Sequence, residues 1–108
     1  MLIFEKYINS EWFTAKSMLR SFAMPFWYVY ILRSERDNKF YIGSTNNLKR
    51  RVSEHQQGKN ISTAKRLPVE LVYFEGHLSK KDALRREKYF KTAKGKTTLR
   101  QMLRDSLS

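Results

Sequence analysis

The 108-residue chain has no cysteine. That excludes a disulfide framework and any chemistry that needs a thiolate. It has two histidines, His55 and His77, which cannot make a zinc site without cysteine help. Acids are scarce beside bases, ten Asp+Glu against 22 Lys+Arg, for a formal charge of +12. No apolar run approaches the ~20 residues of a membrane-spanning helix. Residues 1–23 (MLIFEKYINSEWFTAKSMLRSFA) lack the uninterrupted apolar segment of a secretory signal. No repeat or low-complexity segment appears. The expectation is a soluble, cytoplasmic protein with no membrane partner.

What is present suffices for one small domain and not two. Hydrophobic residues make up 41% and aromatics 14%, enough for a core. The positive excess favours a polyanionic partner, with nucleic acid foremost. It is uneven: from His77 to Ser108 there are ten Lys/Arg and three acids, a net of +7. A solvated basic face kept for solubility is the plainer alternative.

Residues 1–23 read as an N-terminal extension ahead of a domain over 24–108. Trp12, Ala15, Leu19 and Phe22 recur at helical spacing there. Phe26–Leu32 is a first strand and Phe40–Gly43 a second, with Ser34–Asn38 as the turn. Asn46 or Asn47 caps a helix to about Gln57, which Gly58 ends. Lys59–Pro68 reads as a basic loop and Val69–Glu75 as a third strand. Ser79-Lys80-Lys81-Asp82 opens a helix to about Lys94, Gly95 breaks it, and Thr97 or Thr98 starts a last helix. The order β-β-α-β-α-α makes an α/β domain: a small three-stranded, mostly antiparallel sheet flanked by helices. Lys94-Gly95-Lys96-Thr97 is not a phosphate-binding loop, because Phe90 stands where that motif needs its other glycine.

Three local anomalies point to one place. Leu48, Val52 and position 55 define the apolar stripe of the first helix, which puts Arg51 and His55 inward and Arg50 outward. An inward guanidinium needs a carboxylate or a phosphate. In the second helix Ala83, Leu84, Phe90 and Ala93 form the inward face, with Glu87 among them. An inward carboxylate needs a cation or a metal. If the turn sets Leu32 opposite Lys39, Tyr30 lies directly opposite Tyr41, on the same face and ~5 Å away. Singly these residues read as core aromatics, a structural salt bridge and a helix-end histidine. Together they mark a candidate site.

These residues resemble the GIY-YIG nucleases. Tyr28-Val29-Tyr30 is similar to the family's first motif, with Tyr28 in place of the glycine, and Tyr41-Ile42-Gly43 matches the second. Arg51 in "NLKRRVSEH" and His55 one turn later match the positions that follow. Glu87 in "ALRREKYFK" matches the family's metal-binding glutamate. Ser44 stands where some members carry lysine, and no asparagine matches the one near the end of many catalytic domains. The resemblance covers roughly Phe26 to the C-terminus.

It implies the GIY-YIG fold and hydrolysis of a phosphodiester, of DNA foremost, with one Mg²⁺ or Mn²⁺ ion on Glu87. Tyr30 and Tyr41 take the base and water-orienting roles, either one being the base. A tyrosine acting as base near pH 7 needs about three pKa units of depression, ~4 kcal/mol. Arg51 clamps a phosphate oxygen, and His55 holds the phosphate or assists proton transfer. Gly43 lets backbone approach the substrate. Lys65, Arg66, Arg86, Lys88, Lys91 and Lys94 are candidate phosphate-backbone contacts, giving affinity without sequence reading. The rivals are a catalytically silent nucleic-acid-binding domain of the same fold and, more remotely, a membrane-surface or protein-interaction module.

Overall fold

The computed structural model describes residues 26–108. The extension over 1–23, its helical spacing and the domain start at Met24 lie outside the described residues. Strands β1 (Trp27–Ser34), β2 (Phe40–Thr45) and β3 (Val69–His77) form one antiparallel sheet in the order β2-β1-β3. Helices α1 (Leu48–Gln56) and α2 (Ile61–Ala64) follow β2, and α3 (Lys80–Phe90) and α4 (Ala93–Met102) follow β3. The expected order β-β-α-β-α-α is thus observed, with one short helix added.

β1 is central and buries both faces, which is why its sequence is apolar without clean alternation. Val29, Ile31 and Ile42 face one way and pack with Ala83, Phe90, Leu99 and Leu103 of the α3–α4 layer. Tyr30, Leu32 and Val69 face the other way, beside Tyr41, Leu48 and Val52 of β2 and α1. β3 serves both layers through a bulge, since Ile31 pairs with Tyr73 but Leu32 with Leu71. The extra residue puts Val72 and Tyr73 together on the α3–α4 side and Leu71 and Phe74 on the α1 side.

Four details depart from the sequence expectations. The hairpin register is two residues off: Tyr30 pairs with Gly43, and Leu32 with Tyr41. Ser34 bonds Lys39, and Asn38 takes a left-handed conformation (φ 59°) to close the longer turn. A slip of two keeps every side chain on its face, so the expected sidedness survives. The 59–68 segment is not all loop, because Asn60 accepts from the Ser62 N–H and caps α2. Gly95 does not break a helix. α3 ends at Phe90, and Thr92 caps α4 by accepting from the Gly95 N–H at 3.0 Å. Ser79 stands at the start of α3 without a side-chain cap, and Leu84 is exposed rather than inward.

Gly95 has a steric reason to be where it is. A Cβ there would lie 1.9 Å from the Tyr89 carbonyl oxygen and 2.7 Å from the Phe90 Cα. Both neighbours are backbone, so neither can swing aside. Gly→Ala inside a helix ordinarily gains up to ~1 kcal/mol. Gly95→Ala is expected to have the opposite sign, with a loss of ~2 kcal/mol or more from overpacking the α3–α4 corner. Urea unfolding beside Thr97→Ala, which should stay within about 0.5 kcal/mol of the parent, checks it.

Candidate active site

β1, β2 and α1 bring four of the five expected residues together. Tyr30 projects from the centre of β1 and is almost fully buried. Its ring lies across the β2 backbone at Gly43, where a Cβ would come within 2.6 Å of the phenol oxygen. Gly43 therefore makes room for the Tyr30 ring. Tyr41 sits diagonally from Tyr30, with ring centroids 6.2 Å apart. α1 begins where the Asn47 side chain accepts from the Arg50 N–H, and Gly58 (φ 77°) turns the chain after it. That span aims Leu48, Val52 and His55 at the sheet, as the stripe predicts.

His55 is fully buried, with its ring 4.8 Å from Tyr41 and 5.7 Å from Tyr30. Its Nε2 lies 2.9 Å from the Tyr30 hydroxyl and its Nδ1 2.8 Å from the Thr63 hydroxyl. Thr63 is also fully buried. Burial, then the Arg51 charge, pull the His55 pKa down to about 4. The ring is therefore neutral at pH 7, donating at one nitrogen and accepting at the other. Tyr30 is driven the other way. Burial outweighs the neighbouring guanidinium of Arg51, and its pKa is pushed up to about 12. Tyr30 is thus a neutral, hydrogen-bonded phenol.

Tyr41 and Arg51 form the reachable side of the cluster, each half-buried. Arg51 donates to Glu54 Oε1 at 3.3 Å, so the inward guanidinium finds its carboxylate on its own helix. Arg50 is exposed, as expected.

Glu87 does not join this cluster. Successive β2 side chains alternate faces, so Ser44 lies on the α3–α4 side while Tyr41 and Gly43 lie on the α1 side. Glu87 accepts from the Ser44 hydroxyl at 2.5 Å and from Lys91 Nζ at 2.7 Å. β2 is the edge strand, so the two groups flank its two sides. Among the described residues no three His, Cys, Asp or Glu side chains gather as a metal cage. One carboxylate beside a hydroxyl suits a hard cation that keeps waters and phosphate oxygens for its other positions.

A family model described as the GIY-YIG catalytic domain matches residues 26–100. The chain belongs to the GIY-YIG family. A UPF0213 protein of Limosilactobacillus reuteri is 50% identical over 68 residues, 60% of this chain and 70% of that one. UPF0213 protein spr1390 of Streptococcus pneumoniae is 43% identical over 68 residues, 62% of this chain and 68% of that one. UPF0213 protein YazA of Bacillus subtilis is 40% identical over 65 residues, 59% and 65% of the two chains. No solved structure matches. A GIY-YIG fold is a nuclease fold, and the family motifs fall on β1 and β2 as the sequence expectation has them.

The basic residues divide in two. Arg66 is half-buried, 3.6 Å from Asp37, and bonds the Phe40 carbonyl. Arg86 donates to Glu75 at 3.0 Å and lies 4.2 Å over the Phe90 ring. Burial alone would raise Glu75, but Arg86, His77 and Tyr73 as donors outweigh it and hold the carboxyl below its usual range. With Lys91 held by Glu87, three of the six expected phosphate contacts are committed to carboxylates. Lys65, Lys88 and Lys94 remain exposed.

Thr63 and Ser44 are the members that sequence reasoning missed. Thr63 lies in the stretch taken for loop, and Ser44 was noted only as a departure from lysine. The Asn60 cap signal before Ile61-Ser62-Thr63 was the available cue to the helix that carries Thr63.

Thr63→Val should strand a buried His55 nitrogen and lower stability by ~1–3 kcal/mol, while Thr63→Ser stays close to the parent. Chemical unfolding of both variants checks this. The folded state holds His55 at about 4, against 6.5 for a free histidine. The unfolded chain therefore takes the proton first, and stability falls as pH drops from about 6.5 towards 4, by at most ~1.4 kcal/mol per pH unit. His55→Gln should remove that part of the slope when unfolding free energies are compared across the same window.

Proposed function

We propose that this protein is a divalent-metal-dependent endonuclease that hydrolyses phosphodiester bonds of nucleic acid, DNA foremost, in the cytoplasm, in repair or processing. The observation that carries the reading is Tyr41 and Arg51 held half-exposed on a buried Tyr30–His55–Thr63 chain, at the edge of the sheet of a +12 protein. Tilted aromatic contacts and a buried, twice hydrogen-bonded histidine support a phenol and a guanidinium that a phosphate would meet together.

Arg51 clamps a non-bridging phosphate oxygen, a bidentate geometry that a lysine would not supply. Its charge lies close enough to Tyr41 for the two to interact. Tyr41, the reachable phenol, takes the base role as its phenolate and receives the proton of the attacking water. Tyr30, held as a neutral phenol, orients its neighbours and the water. His55, neutral and saturated by two hydroxyls, fixes Tyr30 and does not bind the phosphate. Glu87 and Ser44 would hold one Mg²⁺ or Mn²⁺, which would neutralise charge developing on the phosphoryl oxygens. Lys65, Lys88 and Lys94 supply backbone affinity.

A second reading, a silent nucleic-acid binder, is favoured by one observation: Lys91 and Ser44 already satisfy the Glu87 carboxylate. The two readings separate on a panel of labelled duplex, branched and single-stranded nucleic acids with Mg²⁺ or Mn²⁺. Glu87→Ala, Tyr41→Phe and Arg51→Ala should each lower cleavage at least ~100-fold. Glu87→Ala should still bind the same substrates in EDTA. Equal cleavage by the parent and all three variants would sink the nuclease reading.

A further inference from the structure

At the turn end of the sheet, on the face opposite Tyr30 and Tyr41, a cavity of about 240 Å³ is lined by Arg33, Asn38, Arg100 and Leu107. Arg33, Phe40 and Glu70 form one row across the three strands, on the face that α4 covers. Arg33 donates to Glu70 at 2.6 Å, yet its Nε–H is buried with no acceptor. A buried donor left unpaired is costly and calls for an acceptor. Arg100 lies 4.6 Å over the Phe40 ring. That cation–π contact holds the guanidinium beside the cavity. No carboxylate among the described residues pairs with Arg100. The cavity is thus lined by two guanidiniums, one of them without a carboxylate partner among the described residues.

We propose that Arg33, Arg100 and Asn38 form a second phosphate pocket, which takes a backbone phosphate of the bound nucleic acid. The proposal rests on the nucleic-acid reading of the site and adds a direction to it. Phe40 and Ser44 lie on the same face of β2, four residues apart, so the pocket and the Glu87–Ser44 pair are separated by ~13 Å along the strand. A backbone that follows the open edge of β2 meets Glu87 at one end and Arg100 at the other.

The test is binding of a labelled duplex in EDTA between about 50 and 200 mM salt. Arg100→Ala should weaken binding about eightfold at ~0.1 M salt and flatten the log–log salt slope by ~0.9. Arg104→Ala, an exposed arginine four residues on, should change affinity less than about twofold. Titration of the parent with inorganic phosphate should shift the side-chain Nε–H resonances of Arg33 and Arg100. The pocket is overturned if Arg100→Ala keeps the parent slope, or if Arg104→Ala loses as much. Phosphate shifts with an unchanged slope mean a small-anion site and overturn the backbone role. A parent that never cuts, but whose slope falls in Arg100→Ala, overturns the nuclease reading and leaves the pocket standing. A parent that cuts, with an unaffected slope in Arg100→Ala, does the reverse.

Discussion

The site depends on one contact: the Tyr30 ring laid across the β2 backbone at Gly43. A Cβ at that glycine and the phenol cannot occupy the same space. With the ring there, its hydroxyl reaches His55, His55 reaches Thr63, and α1 and α2 are tied to the sheet by a continuous polar chain through an apolar layer. Every member is buried and satisfied, the condition under which a polar network stabilises a core and selects one arrangement. Tyr41 stacks on this assembly and Arg51 stands one turn before His55.

The electrostatics have a matching division. The chain carries many more cations than anions, and most of its acids are spent holding particular cations in place. Glu70 holds Arg33, Glu54 holds Arg51, Glu75 holds Arg86, and Glu87 holds Lys91. Glu75 is the most enclosed and gathers three donors, so the arginine it fixes is a part of the α3 packing rather than a free arm. Net charge alone suggests a uniformly adhesive surface, but the pairing takes six of the 19 described Lys and Arg side chains out of it.

Much of the fold was legible in the sequence, for identifiable reasons. β1 and β3 are long aromatic and β-branched runs, and α1 has a strong stripe between an asparagine cap and a glycine stop. Those signals are local and redundant. The hairpin register was misjudged by two because turn length depends on Asn38 adopting a left-handed conformation, a choice that composition permits but does not force. Because the error was an even number, Tyr30 and Tyr41 still came out on one face. The α3–α4 corner was misplaced because Gly95 was read as a breaker from its propensity. Its actual reason is a close backbone approach, which belongs to two helices at once.

The residue types of the site, and the sidedness of four of them, were determined by sequence alone. Period-2 strands and a period-3.6 helix leave little freedom for Tyr30, Tyr41, Arg51 and His55. The tertiary structure decided what each can do. It buried Tyr30 and exposed Tyr41, and so separated two phenols that look equivalent in sequence. It enclosed His55 until the ring became neutral, and drew Thr63 into the chain from a helix that the sequence reading had missed. It also set Glu87 on the far side of β2, against Ser44. These outcomes turn on desolvation and on partners distant along the chain, and neither is a property of any short stretch of sequence.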